Sequence, residues 1–145
     1  MDAGSILHVS IRSRLEDVGF LTQLLVDAAG QAIQADWILL EIGLAEVVNN
    51  AIKYAAGGLP DGHVTLKADI RDGQLVVEVE DNGLPMPSDT QSAFERAGDM
   101  SDVMALSGRG FSLVRHCFSD ARFRNEDGVN RVTLYYPLAR ETVPL

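Results

Sequence analysis

Residues 36–60 read DWILLEIGLAEVVNNAIKYAAGGLP, and the fold follows from how this stretch is wound. Trp37, Leu40, Leu44, Val47, Val48, Ala51 and Ala55 recur at helical spacing and fall along one line of a helix. Glu46, Asn49, Asn50 and Lys53 fall on the opposite side. The pattern predicts a helix from about Asp36 to Ala55, stopped by Gly57-Gly58-Leu59-Pro60. One face is core. The other carries a carboxylate, two amides and an amine in register.

Upstream, Ile6, His8 and Ile11 mark a β-prone run over 5–12, expected as an edge strand. Ser13 with Glu16 reads as a capping box, and Val18, Leu21, Leu24, Leu25 and Ala28 continue at helical spacing, predicting a first helix over 14–33. Downstream, residues 63–70 and 74–80 alternate apolar and polar around Arg71-Asp72-Gly73, a hairpin. Asp81-Asn82-Gly83-Leu84-Pro85-Met86-Pro87 ends the second strand. Residues 88–107 are polar with a weak helical pattern over 90–97, expected as a mobile connection. A third helix is expected over 111–118, then a hairpin of 121–125 and 130–136 turning at Glu126-Asp127-Gly128-Val129. Helices and hairpins are segregated, which predicts an α+β two-layer sandwich filling residues 1–145 as a single domain.

The 145 residues carry 12 Lys plus Arg against 21 Asp plus Glu, a net charge of -9. Such an acidic chain argues against direct binding to nucleic acid or to an anionic membrane surface. No apolar run approaches the roughly 20 residues of a membrane span, and the N-terminal residues do not read as a signal peptide. The single cysteine, Cys117, fits a reducing cytoplasm and reads as a small core residue. His116 has no metal-site spacing around it, and Trp37 reads as core.

Three segments carry chemistry. Glu46, Asn50 and Lys53 stand at i, i+4 and i+7 on one helix face. A carboxylate accepts a proton, an amide oxygen suits a hard cation such as Mg²⁺, and an ammonium meets phosphate. The same pattern also describes a solvated polar face. Asp81-Asn82-Gly83 is a common turn; it also describes a buried carboxylate accepting from an exocyclic amine, with Gly83 allowing close approach of a base. Ser107-Gly108-Arg109-Gly110-Phe111 places glycines and a cation at a helix start, where backbone N–H groups attract anions. Each segment supplies a different part of one ligand.

In this order the motifs resemble those of the GHKL ATPase superfamily. E-x-x-x-N at Glu46 and Asn50 resembles its N box, Asp81-x-Gly83 its G1 box, and Gly108-Arg109-Gly110-Phe111 its G2 box. V-T-L at 132–134 resembles the strand whose Thr supports the adenine-binding Asp. The resemblance spans about residues 5–138 and implies a mixed, mostly antiparallel sheet with three main helices on one face. Within the superfamily the chain is similar to the small anti-sigma factor serine-protein kinases of bacterial partner-switching systems.

That resemblance implies a cytoplasmic protein that binds ATP and Mg²⁺, sequesters a sigma factor or equivalent target, and phosphorylates a Ser or Thr of an anti-sigma factor antagonist. Glu46 would be the general base, Asn50 the Mg²⁺ ligand and Lys53 a phosphate contact. Asp81 would bind the adenine amino group, with Gly83 beside it and Thr133 behind it. Ser107, Gly108, Arg109, Gly110 and Phe111 would cradle phosphates. The alternative is a non-catalytic binding module of the same fold acting by sequestration only. Helix one and the first strand are the candidate surface for a homodimer. The chain departs from the family in carrying Pro85 where the G1 box often has a second Gly, and Arg96 is the lone basic residue of 88–107.

Overall fold

The computed structural model describes residues 5–12, 15–30, 35–56, 61–96 and 109–138. Strand β1 (Ser5–Arg12) leads through a 3₁₀ turn at Leu15–Asp17 into helix α1 (Val18–Ala29). Helix α1 closes sooner than its periodicity suggests, with Gly30 N–H donating to Val26 O at 2.7 Å. Ser13, the expected cap, and residues 31–33 lie outside the described residues.

Helix α2 (Trp37–Asn50) starts as its sequence dictates. The Asp36 carboxylate accepts from Leu39 N–H at 3.1 Å, and the Asp36 N–H donates to the Tyr136 hydroxyl at 2.9 Å. The first bond satisfies an amide that a helix start leaves unpaired. The second ties α2 to the sheet. Beyond Asn50 the chain widens into a π-helical turn over Ala51–Ala56. That winding breaks the i, i+4, i+7 register assumed for Lys53.

The sheet comprises β1, β2 (His63–Arg71), β3 (Gln74–Asp81), β4 (Asp120–Glu126) and β5 (Val129–Pro137), in the order β1-β2-β3-β5-β4. All its pairings are antiparallel. Both two-residue hairpin turns are Asp-Gly, with Asp72 and Gly73 at φ 51° and 75° and Asp127 and Gly128 at φ 54° and 78°. Two consecutive left-handed residues match the twist of the flanking strands, and Asp-Gly tolerates them.

Strand alternation separates two faces. Leu66, Val77, Val79 and Leu134 point to the helical layer and meet Leu21, Leu25, Leu40, Leu44 and Val48, all at or below 1% exposure. Each contributes about 1.5–3 kcal/mol by leaving water. The opposite face carries charged pairs, including Lys67 Nζ to Glu80 Oε1 at 2.7 Å. Burial favours protonation of Glu80, but Lys67 and Arg131 together outweigh it and hold the carboxyl below its usual range.

Helix α4 (Arg109–Cys117) crosses α2 at Gly43, where a Cβ would stand 2.6 Å from Cys117 Cβ and 2.8 Å from Phe118 Cε2. Only a glycine lets the two helices approach this closely. Burial pushes the Cys117 thiol up, in keeping with an inert core residue.

The stretch expected as a mobile connection begins instead with a docked helix, α3 (Thr90–Arg96). Phe94 is 5% exposed and packs on Phe111 and Phe123 with ring centroids 5.9 and 5.1 Å away. The Gln91 amide donates to Ala121 O at 3.2 Å and accepts from Phe123 N–H at 2.7 Å, bonding to the outer edge of β4. Arg115 Nη1 donates to Glu95 O at 3.0 Å near the helix end. The weak helical pattern concealed these anchors. No helix among the described residues is long and apolar enough to cross a membrane.

Candidate functional site

A cavity of about 640 Å³ opens between the helical layer and the end of β3. That volume suits a ligand of nucleotide size. Val47, Asn50 and Ala51 form its helix wall, Asp81 and Asn130 its sheet floor, and Leu84, Pro85 and Met86 its rim. Phe111 and Val114 of α4 close the far side. Asn50, Asp81 and Phe111, expected from separate segments, therefore face one space.

Asp81 is 6% exposed at the last position of β3. Its Oδ1 accepts from Gly83 N–H and from Asn130 Nδ2, each at 2.9 Å. No bond among the described residues engages its Oδ2. Burial pushes the carboxyl above its ordinary value, with the bonds from Asn130 and Gly83 pulling the other way. The site thus holds a desolvated acceptor whose second oxygen is open to a donor. Gly83 serves through its N–H and stands off the cavity wall. Asn82 fixes the turn, accepting from His63 N–H at 2.9 Å and donating to Asp61 O at 2.9 Å.

Glu46 lies outside the cavity wall, half-buried, at the junction of α2 with the start of α4. Its Oε1 sits where a Cβ on Gly110 would stand. Gly110 is therefore needed for close approach, which adds a spatial reason to its expected place in a phosphate loop. Lys53 is exposed on the π-helical turn and lies off the cavity wall. Ser107 and Gly108 lie outside the described residues; Arg109 begins α4, and its side chain is not among those described.

Thr133 requires a correction. Asp81 pairs with Asn130 across β3 and β5, so even-numbered residues of β5 share the cavity face. Thr133 pairs with Glu78, is 3% exposed, and lies on the opposite face of the sheet. It cannot stand behind Asp81. Asn130 does, and sequence reasoning passed over it. The signal was its place three residues before Thr133, but its partner emerges only from the register of two strands distant in sequence.

The cavity wall carries two carboxylates, Asp81 and Asp89, and no lysine or arginine among the described residues. A polyphosphate entering it needs a cation of its own. The Asn50 amide is a suitable hard-cation ligand, and the described residues hold no ready-made cluster of His, Cys, Asp and Glu for a metal. The donors present fit a metal that arrives with phosphate.

The family model of the histidine kinase-like ATPase domain matches residues 11–136. A serine-protein kinase RsbW of Listeria innocua is 29% identical over 101 residues, covering 67% of this chain and 64% of that protein. The chain thus aligns with just under two thirds of that relative's length. An anti-sigma F factor of Geobacillus stearothermophilus is 26% identical over 132 residues, covering 90% of this chain and 88% of that protein. Among solved structures, the RsbU and RsbW domains of Rv1364c from Mycobacterium tuberculosis superpose with a TM-score of 0.64 at 18% identity, covering 92% of this chain and 32% of that one. The catalytic domain of histidine kinase ThkA gives a TM-score of 0.59 at 16% identity, covering 90% of this chain and 95% of that one. These two likenesses concern the fold.

Proposed function

The chain belongs to the family of histidine kinase-like ATPase domains, and on that premise we propose that it is an ATP-binding anti-sigma factor and serine/threonine-protein kinase of a partner-switching system. The observation that carries the reading is the shared cavity of Asn50 and Asp81, with Glu46 one turn before Asn50 and lodged against the first turn of α4. The kinase and anti-sigma names of the sequence relatives support it.

Asp81 Oδ2 accepts the exocyclic amine of adenine, and the apolar rim of Leu84, Pro85 and Met86 covers the base. The triphosphate runs along α2 toward α4, whose first turn at Arg109 and Gly110 offers backbone N–H groups and a positive helix end; Ser107 and Gly108, just before it in sequence, complete the proposed phosphate residues. Asn50 would hold Mg²⁺, which would supply neutralisation of the phosphate charge. Glu46 accepts the proton of the attacking Ser or Thr hydroxyl of an antagonist as its oxygen bonds to the γ-phosphorus and ADP leaves. Positioning and charge neutralisation carry most of phosphoryl transfer, so a short list of residues suffices. A sigma factor or equivalent target is the sequestered partner, and the cytoplasm is the compartment.

Calorimetry of ATP with and without Mg²⁺, followed by transfer assays with wild type and Glu46→Ala, tests the reading. Magnesium-dependent binding, transfer by the wild type and retained binding without transfer in Glu46→Ala are expected. No binding by the wild type overturns it. Binding without transfer to any antagonist favours sequestration alone, a reading to which Pro85 on the rim lends weight.

A further inference from the structure

We propose that Asn130 is the positioning residue of the nucleobase subsite, holding Asp81 with one oxygen toward the cavity and clamping the Leu84–Met86 rim to the same point. The proposal rests on the ATP-binding reading above and deepens it.

Asn130 is 2% exposed, and its amide uses its full bonding capacity. Nδ2 donates to Asp81 Oδ1 at 2.9 Å and to Leu84 O at 2.7 Å. Oδ1 accepts from Met86 N–H and from Asn125 Nδ2, each at 2.9 Å. The orientation is determined by these partners. A flipped amide would set oxygen against the Asp81 carboxylate and the Leu84 carbonyl, and NH₂ against two donors. Buried amides left in such conflict are strongly disfavoured.

Two consequences meet at one side chain. Asp81 Oδ1 is committed to Asn130 and Gly83, so Oδ2 is the oxygen left for a ligand. The rim is short of backbone donors because Pro85 and Pro87 have none, and Met86 N–H is the donor Asn130 captures. The pair Leu84 O and Met86 N–H bonds to the Asn130 side chain much as it would to a neighbouring strand. A single hydroxyl has one proton and cannot donate to Asp81 and Leu84 together. The asparagine thus couples the recognition carboxylate to the wall that covers the base.

The charged surroundings of Asp81 make the coupling readable by pH. Asp89 is the other carboxylate on the cavity wall, and α2 faces it with uncharged Asn50. Its β2 partner is Val64, while neighbouring Glu80 and Arg131 lie on the opposite sheet face. The amide bond from Asn130 therefore acts against burial in keeping the carboxyl ionised.

The test uses the whole chain with Asn130→Ala, the near-isosteric Asn130→Asp, and, as a control on the opposite sheet face, Arg122→Ala, whose side chain is exposed and paired with Asp120. Two readouts are taken: MgATP affinity by calorimetry from pH 5 to 8, and the Asp81 carboxyl titration by NMR in nucleotide-free protein. Circular dichroism checks folding. Asn130→Ala is expected to bind MgATP roughly 10- to 100-fold more weakly, the loss anticipated for a hydrogen bond to a charged group. Its Asp81 midpoint should lie above that of the wild type, and that of Asn130→Asp higher still, because two adjacent carboxylates share a proton. Arg122→Ala should match the wild type in both. An Asp81 midpoint unchanged in either folded Asn130 variant overturns the clamp, even if stability falls. Absence of ATP binding in the wild type overturns the proposed function and the nucleobase role together, a result separate from the titration.

Discussion

Replacing Asp81 by asparagine should move ligand affinity and protein stability in opposite directions. The new amide keeps the shape of the carboxylate. Its oxygen is held by the donors that now hold Oδ1, Gly83 N–H and Asn130 Nδ2, both at 2.9 Å. Its NH₂ must then occupy the Oδ2 position facing the cavity, where it meets an adenine amine donor to donor. Flipping the amide relieves that conflict only by opposing the NH₂ to two buried donors. Loss of a charge-assisted bond costs about 1.5–3 kcal/mol, and an unsatisfied buried donor about 1–3 kcal/mol more. MgATP affinity should fall by roughly two to four orders of magnitude by the usual conversion of free energy to equilibrium constant.

Stability should respond the other way. Burial raises the folded-state pKa of Asp81 above its unfolded value. The stabilisation linked to that shift is fully present below the unfolded pKa and is lost as pH rises through the folded one. Asp81→Asn has no such loss, so its melting temperature relative to wild type should rise from pH 4 to pH 7. Calorimetry and thermal melts over that range provide the assay. Wild-type affinity within threefold would refute the assignment of Oδ2. A relative melting temperature falling toward neutral pH would refute the account of desolvation.

Gly43→Val should force α2 from α4, because its Cβ would meet Cys117 and Phe118; we expect a loss of about 2 kcal/mol, or roughly 6–8 °C in melting temperature. Gly110→Ala should drive the Glu46 carboxylate from its seat; a displacement of about 1 Å costs on the order of 100-fold in phosphoryl transfer, read in a transfer assay at unchanged melting temperature. Phe94→Ala should remove the anchor shared by α3, α4 and β4 at a cost of about 3–5 kcal/mol, measured by denaturant unfolding.

Local periodicity made much of this molecule legible. Strand β1 occupies the expected residues, and α2 buries the expected Leu40, Leu44, Val47 and Val48. Asp-Gly turns announced both hairpins. Asn50 and Asp81, singled out for their residue types and spacing, and Phe111, singled out by the resemblance, line one cavity. The misplaced residues depend on information that no short window holds. Thr133 and Asn130 differ by three positions, which in a strand means opposite faces, and the parity is set by pairing of β5 with β3 rather than with its hairpin neighbour. Lys53 was displaced by a π-helical winding that its own sequence does not announce. The short α3 takes its order from distant partners, Phe111, Phe123 and the β4 edge, so a weak local pattern understated it.

The bonds from Gln91 to Ala121 and Phe123 also bear on how these molecules behave when crowded. Strand β4 ends the sheet, and a terminal strand offers its outward amides and carbonyls to any extended chain that drifts alongside. Here one carboxamide occupies a carbonyl and an N–H in succession, acting as a one-residue substitute for the missing neighbour. Arg122, Arg124 and Glu126 add charge along the same strand. Growth of the sheet from this side into an aggregate is thereby opposed at the level of individual hydrogen bonds, by a residue that also fastens α3 beside the ligand cavity.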